Sequence, residues 1–371
     1  MAPRKRLKLA VIGTGGMGSG HCRTILDKIP EAILTAVCDA HVPNAERAAA
    51  TFGVPMFTAV RDLVKSRLAE AVIVATPHTS HAEASIACMK AGLHVMSEKP
   101  LSETVGKADR MIRAARRYRV AFAVNFQRRM DPVVQAARAF VDRGGIGTLY
   151  RAVMIAPECR TQAYYDSGTW RATWKGEGGG VMMNQAPHIM DIFVQLAGMP
   201  QRVRGTIATV MHHIEVEDRA EAMLTWANGA TGYFYCSTNE PLPGQMIELF
   251  GDKGKLAYRD GKLECWQYQP AIGSFIRKSK EAWKFSPECK PVKLPVSQSQ
   301  LEPSGSIRNF VRHVLFREPL VVRADTALGS LELANAITLS SWTGREIRLP
   351  VSRTEYDRHL ERMRRTSTFR K

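Results

Sequence analysis

Short apolar runs alternate with helical stretches through the first third of the chain. Leu7 to Ile12, Ile33 to Cys38, Ala71 to Ala75, His94 to Ser97 and Val120 to Val124, with a weaker run near Met56, read as six strands. The segments between them have helical composition, and Ser80 to Ala91 ends at Gly92, a helix stop. Strand and helix in alternation build a parallel sheet flanked by helices. After Val124 the alternation stops. Pro132 to Arg143 reads as a helix ended by Gly144-Gly145, and Leu149 to Ile155 as a strand. Gln201 to His213 and Arg219 to Thr238 read as antiparallel, the latter folded back at Asn228-Gly229, a hairpin dipeptide. Ile189, Ile192, Phe193 and Leu196 make the apolar stripe of an amphipathic helix that stops at Gly198 and Pro200. On one helix through this region Asn184 and His188, four residues apart, share a face beside that stripe. Ile272 to Pro303, rich in Lys, Pro and Ser, reads as a long irregular excursion.

With 371 residues the chain is long enough for two domains, divided here into 1–125 and 126–371. Charge adds little to that division: the net charge is +17, from 52 Lys and Arg against 35 Asp and Glu. Much of the excess sits at the ends, in Arg4, Lys5, Arg6 and Lys8 and in Arg362, Arg364, Arg365, Arg370 and Lys371, which read as solvated tails. No nucleic-acid motif accompanies the charge, and no stretch is long and apolar enough for a membrane span. The apolar run after the basic start is too short for a signal peptide and meets glycines. Seven scattered cysteines without CxxC spacing point to a reduced, cytoplasmic protein with no zinc site.

The chemistry begins at Gly13-Thr14-Gly15-Gly16-Met17-Gly18, which leaves the first strand and opens a helix. In that context Gly13 permits the tight turn, Gly15 lets the backbone approach a pyrophosphate, and Gly18 allows helix and strand to pack closely. Asp39, at the end of the second strand, stands where a carboxylate accepts the adenosine ribose hydroxyls, and no arginine follows to hold a 2′-phosphate. NAD is expected rather than NADP, on a Rossmann-type α/β domain. Thr76-Pro77, with His81 beyond, and Glu98-Lys99-Pro100 leave the fourth and fifth strands at their carboxyl ends, the ligand edge of such a sheet. His81 reads equally as a packing residue and as a cofactor neighbour. Lys99 reads as a surface lysine or as a cation that polarises a substrate oxygen.

These pieces, with Asn125-Phe126-Gln127-Arg128-Arg129 and the run from Gly178-Gly179-Gly180 through His188 to Asp191, resemble the Gfo/Idh/MocA family of oxidoreductases. Glu332 to Ala336 and Ser341 to Gly344 resemble its C-terminal helix, so the likeness covers nearly the whole chain. The resemblance implies an α+β second domain with an open-faced, mainly antiparallel sheet, and a homodimer or homotetramer in which a partner covers that face. It implies Asn125 and Gln127 near the cofactor with Gly13 to Gly18, Asp39, Thr76, Pro77, His81, Glu98 and Lys99. It also implies Lys99 on the reacting oxygen.

His188 alone reads as a structural histidine; beside the glycine turn and the cofactor motifs it reads as the base that takes a hydroxyl proton. Inositol-oxidising members of the family carry Asp where this chain has Asn184, so a carboxylate relay is absent. Arg128, Arg160, Tyr164, Tyr165, Trp170, Arg171, Asn184 and Gln185 supply the stacking and hydrogen bonding that sugars need. The segments Tyr164 to Arg171 and Asn184 to His188 together resemble the subgroup acting on glucose-type sugars, including levoglucosan and glucose 6-phosphate 3-dehydrogenases. The expected activity is reversible oxidation of a ring secondary alcohol, at C3 by that likeness, of a sugar or sugar derivative to a ketone. Alternatives are an inositol dehydrogenase, an NAD-retaining glycosidase or epimerase-like enzyme, and a non-enzymatic sensor.

Overall fold

The computed structural model describes residues 5–296 and 304–369. Contacts divide the chain into two units, and not by a single cut. The first unit takes Met1–Met130, Lys175–Gly178 and Glu302–Leu331, and the second takes Asp131–Trp174, Gly179–Leu301 and Glu332–Lys371. The sequence division at 125/126 lies near the first of these cuts. The later returns of the chain leave no trace in local periodicity.

The first unit runs β1 (Leu7–Ile12), α1 (Gly16–Lys28), β2 (Ala32–Cys38), α2 (Val42–Phe52), β3 (Met56–Phe57), α3 (Val60–Ser66), β4 (Ala71–Val74), α4 (His81–Lys90), β5 (His94–Ser97), α5 (Val105–Tyr118) and β6 (Phe122–Val124). The six strands are parallel in the order β3-β2-β1-β4-β5-β6. That order reverses between β1 and β4, the position where such sheets bind ligands beyond their carboxyl ends. Leu9, Val11, Ile25, Ile73 and Met96 are fully buried around the strands. Burial of each contributes about 1.5–3 kcal/mol before entropy is counted.

The second unit opens with α6 (Pro132–Asp142), which has Pro at its first position and Asp131 as its cap, accepting the Val133 N–H at 2.8 Å. There follow β7 (Leu149–Pro157), α7 (Gln162–Asp166), α8 (Val181–Asn184), α9 (Pro187–Ala197), β8 (Arg202–Ala208), β9 (Arg219–Thr225), β10 (Thr231–Ser237), β11 (Met246–Gly251), β12 (Gly254–Arg259), β13 (Lys262–Gln269), α10 (Ile272–Lys278) and β14 (Glu288–Pro291). Next comes α11 (Gly305–Phe316), which belongs to the first unit and whose Ile307, Phe310 and Val311 lie in that unit's core. The chain closes with α12 (Leu328–Thr343), β15 (Ile347–Arg348) and α13 (Arg353–Thr366).

Nine strands form one sheet, β14-β13-β12-β11-β7-β10-β9-β8-β15. Its pairs are antiparallel except β7 with β10. Along β9, β10 and β11 burial alternates residue by residue, so one face is core and the other is open, with Met223 57 % exposed on it.

Three expectations are corrected. The excursion from Ile272 contains α10 and β14, while 297–303 lie outside the described residues. The basic ends are solvated, but the described residues are not free tails: Arg6 donates to the Ala32 carbonyl, Lys8 lies on β1, and Arg362, Arg364 and Arg365 lie on α13. Arg4, Arg370 and Lys371 lie outside the described residues. Third, the single helix through Asn184 and His188 is two helices, because Pro187 has no N–H to give. The Ala186 N–H reaches back five residues to the Val181 carbonyl, a π-type bond at the joint. Among the described residues no helix is long and apolar enough to cross a membrane.

Candidate active site

At the end of β1 the chain turns at Gly13 with φ +88°, and a Cβ there would meet the Ala75 carbonyl oxygen at 2.5 Å. Only glycine fits, on both counts. Gly18 lets α1 press on the same turn, since its Cβ would lie 1.7 Å from the Gly13 oxygen. Above Gly15 and Gly16, by contrast, no atom lies within 4 Å of a built Cβ, and Met17 beside them is exposed. This open cradle at the start of a 13-residue helix with no acid in its first turn fits a dinucleotide pyrophosphate.

Asp39 is already engaged there. Its Oδ2 accepts the Thr14 N–H at 2.7 Å and the Thr14 hydroxyl at 3.1 Å, and its Oδ1 accepts the His41 N–H at 2.9 Å. A carboxylate has about four acceptor positions, so capacity remains for a ribose hydroxyl. Thr76, just past β4, has a buried hydroxyl oxygen with no hydrogen-bond partner, and Pro77 beside it is exposed.

Three residues expected near the cofactor have their polar groups committed elsewhere. His81 is 0 % exposed, with Nδ1 3.0 Å from the Pro100 carbonyl oxygen and Nε2 2.9 Å from that of Thr76. Burial pushes its pKa down, against the pull of those carbonyls, and the ring clamps two loops together. Glu98 is 7 % exposed; its Oε1 lies 2.7 Å from His21 Nε2 and accepts Asn125 Nδ2 at 2.6 Å, while its Oε2 accepts the Lys99 N–H at 3.1 Å. Burial alone would raise this carboxyl; His21, Asn125 and Lys99 together hold it at about 2. Asn125 spends its Oδ1 on the Ser306 hydroxyl at 2.5 Å. Glu98 and Asn125 thus fix the turn that carries Lys99. Gln127 and Arg128 lie half-exposed on a short 3-10 turn, and the neighbouring Arg129 is buried on Thr326.

The segment Lys175–Gly178 belongs to this unit: the Glu177 carbonyl oxygen lies 3.3 Å from His78 Nδ1, and Gly178, at φ +81°, lies against Glu103.

In the second unit the glycine run continues into α8, held by a residue that sequence patterns did not single out. Glu217, 2 % exposed, accepts the Gly180 N–H at 2.8 Å and the Met182 N–H at 3.3 Å on its carboxylate, and the Val181 N–H at 3.0 Å on its carbonyl. Its neighbour Asp218 is fully buried and accepts the N–H groups of Val210, Met211 and His212 as well as lying 3.0 Å from His212 Nδ1. Burial would raise the Asp218 carboxyl, but these donors hold it below the usual range. The sequence signal was Glu215-Val216-Glu217-Asp218 between two apolar runs, which reads as a polar loop and not as a buried scaffold.

On that scaffold Asn184, Gln185 and His188 are half-exposed, while Val181, Met182, Met183, Ala186, Pro187, Ile189 and Met190 are buried. A polar strip therefore runs over the joint of α8 and α9, with His188 at the second position of α9. Of the aromatic candidates, Tyr165 is corrected. It is 2 % exposed, its hydroxyl lies 2.7 Å from Thr238 Oγ1, and its ring packs edge-on against His212. Tyr164, named beside it from the sequence, meets Gln185 and Arg171 instead, and the guanidinium of Arg171 lies 4.6 Å from the ring centre of Trp170. Arg160 pairs with Glu158 and lies 5.1 Å from the Tyr164 ring centre.

A family profile described as an oxidoreductase family with an NAD-binding Rossmann fold matches residues 7–126, and one described as the GFO/IDH/MocA C-terminal domain matches 134–257. The chain is 34 % identical to an inositol 2-dehydrogenase of Rubrobacter xylanophilus over 144 residues, 38 % of this chain and 42 % of that enzyme. It is 24 % identical to the levoglucosan dehydrogenase of Pseudarthrobacter phenanthrenivorans over 289 residues, 68 % of this chain and 74 % of that enzyme. Among solved structures it is similar to the WlbA dehydrogenase of Bordetella pertussis in complex with NADH and UDP-GlcNAcA, with TM-score 0.78, 25 % identity, and coverage of 94 % of this chain and 100 % of that one. With the glycine cradle, Asp39 and the glycine-to-histidine run in place, the chain belongs to the GFO/IDH/MocA family of NAD-binding oxidoreductases.

Proposed function

We propose that this protein is an NAD-dependent dehydrogenase that oxidises a ring secondary alcohol of a sugar or sugar derivative to a ketone, reversibly. The observation that carries this reading is the half-exposed strip Asn184, Gln185, His188 on an otherwise buried joint, in a chain whose other unit has an open pyrophosphate cradle. NAD supplies the hydride acceptor. His188 takes the hydroxyl proton as the C–H bond gives up its hydride, and returns it in the reverse direction. Lys99 donates a hydrogen bond to the reacting oxygen, with its turn fixed by Glu98. Asn184 binds a substrate hydroxyl, since an amide has no charge with which to relay the proton.

A panel of sugars, cyclitols and glycosides incubated with NAD, followed by NADH absorbance and by NMR of the products, tests the reading. A keto-sugar formed with equimolar NADH is expected, with C3 the position favoured by the likeness to the glucose-type subgroup. Selective turnover of inositols would replace the sugar reading with a cyclitol one, which the similarity to an inositol 2-dehydrogenase supports. Glycoside cleavage without net NADH would make the cofactor a recycled one. No turnover of any polyol would sink the proposal.

A further inference from the structure

Tyr164, Arg171 and Gln185 form a cluster whose Gln185 caps the end of α8 at the joint leading to His188, and its hydrogen bonds do not balance. The Tyr164 hydroxyl oxygen accepts Arg171 Nη1 at 2.9 Å and Gln185 Nε2 at 3.0 Å. A phenol has two acceptor positions and one proton, so its proton is left for a further acceptor, and Gln185 Oε1 is buried without a partner. With the amide turned over, Tyr164 donates to Oε1 and the Gln185 N–H groups are left instead. A surplus donor remains either way. Arg160 adds another, its Nε buried and without a partner.

Charge points the same way. The Arg171 guanidinium is half-buried, 4.7 Å from the ring centre of Tyr164 and 4.6 Å from that of Trp170. Among the described residues it has no carboxylate partner. The acids of this segment are spent elsewhere: Glu158 on Arg160, and Asp166 on the Gln162 amide at 3.0 Å. A cation set between aromatic rings with unmatched donors around it is built for an anionic oxygen group, which a planar guanidinium fork binds through two N–H groups.

We propose that this cluster is an anion subsite and that the substrate is a polyol bearing a carboxylate or a phosphate, gripped by Arg171 with Tyr164 donating to the same group. The proposal rests on the dehydrogenase reading above. The probes are glucuronate, glucose 6-phosphate and glucose, with galacturonate and galactose as a second matched pair. The expected result is a kcat/KM for one class of anionic sugar at least ~10-fold above its neutral parent, uronates favoured if the group is a carboxylate and glucose 6-phosphate if it is a phosphate. Arg171→Gln lowers that ratio about tenfold, through KM more than kcat, and Arg171→Lys restores part of it. Equal use of neutral and anionic sugars, or an unchanged ratio in Arg171→Gln, overturns the proposal. Calorimetric titration of the same anions into the NADH-loaded protein separates the two readings. Binding that Arg171→Gln abolishes, without turnover, keeps the subsite and removes the dehydrogenase; turnover of neutral sugars with no anion binding does the reverse.

Discussion

His21 Nε2 on α1 lies 2.7 Å from Glu98 Oε1 at the end of β5, so the helix that opens the dinucleotide cradle is tied to the turn carrying Lys99. The contact is buried, and leaving a buried group there without its hydrogen-bond partner costs about 1–3 kcal/mol. The folded Glu98 carboxyl is held at about 2 against an ordinary value of 4.5. A depressed pKa stabilises the fold fully above the ordinary value and loses that contribution as pH falls toward the folded one. Wild-type protein followed by circular dichroism is therefore expected to lose stability between pH 4.5 and about 2. Glu98→Gln should have a lower Tm at neutral pH and a shallower acid slope. An unchanged slope in that variant would remove Glu98 from the account.

His188→Ala is expected to lower kcat by roughly 10²–10⁴ while NADH affinity, read by fluorescence titration, stays within about threefold. Undiminished turnover would show that another group takes the proton.

Two glycines separate stability from cofactor binding. At Gly180 a Cβ would lie 1.8 Å from the Glu217 carbonyl oxygen, so Gly180→Ala forces backbone apart and should lower stability by about 2–3 kcal/mol in urea unfolding. At Gly15 a Cβ meets nothing, and φ is −62°. Gly15→Ala should keep the wild-type Tm and weaken NAD binding by about tenfold, because the methyl enters the space left for the pyrophosphate. Equal losses of Tm in the two variants would contradict this division.

The adjacent tyrosines make a similar contrast. Tyr165→Phe loses the buried bond to Thr238 and is expected to cost about 1 kcal/mol with little change in substrate KM. Tyr164→Phe should leave Tm close to wild type and raise substrate KM several-fold. A reversed pattern, measured by thermal melts and steady-state kinetics, would return Tyr165 to the site.

The six strands and the glycine turn were legible because the parallel sheet rests on local rules: apolar runs of strand length, helical spacers, and a GxGxxG in register. Less could be read from the second unit. β11, β12 and β13 mix charged, aromatic and apolar residues because one face of their sheet is open, which weakens any single-run signal. His188 and Gln185 entered as candidates through motif and family likeness. Tyr164 and Tyr165 could not be told apart, because two adjacent tyrosines on a short helix are distinguishable only by what each one touches. Glu217 and Asp218 were missed for a related reason: a buried acid looks like a surface acid until its N–H donors are seen, and those donors come from Gly180 and Met182 for Glu217 and from the preceding loop for Asp218.

The parallel pairing of β7 with β10 sets how the second sheet must assemble. Arg151 lies opposite Thr231, 80 residues later, while β8-β9-β10 and β11-β12-β13 are each joined by successive antiparallel neighbours. Tight turns close β9 on β10, β11 on β12 and β12 on β13, and the loop 209–218 closes β8 on β9. Joining them at β7 requires a long loop to close before any cross-strand bond repays its entropy. Refolding of this unit is therefore paced at its centre: both flanks are poised to form early, and the strand that carries neither cofactor nor histidine decides when they become one sheet.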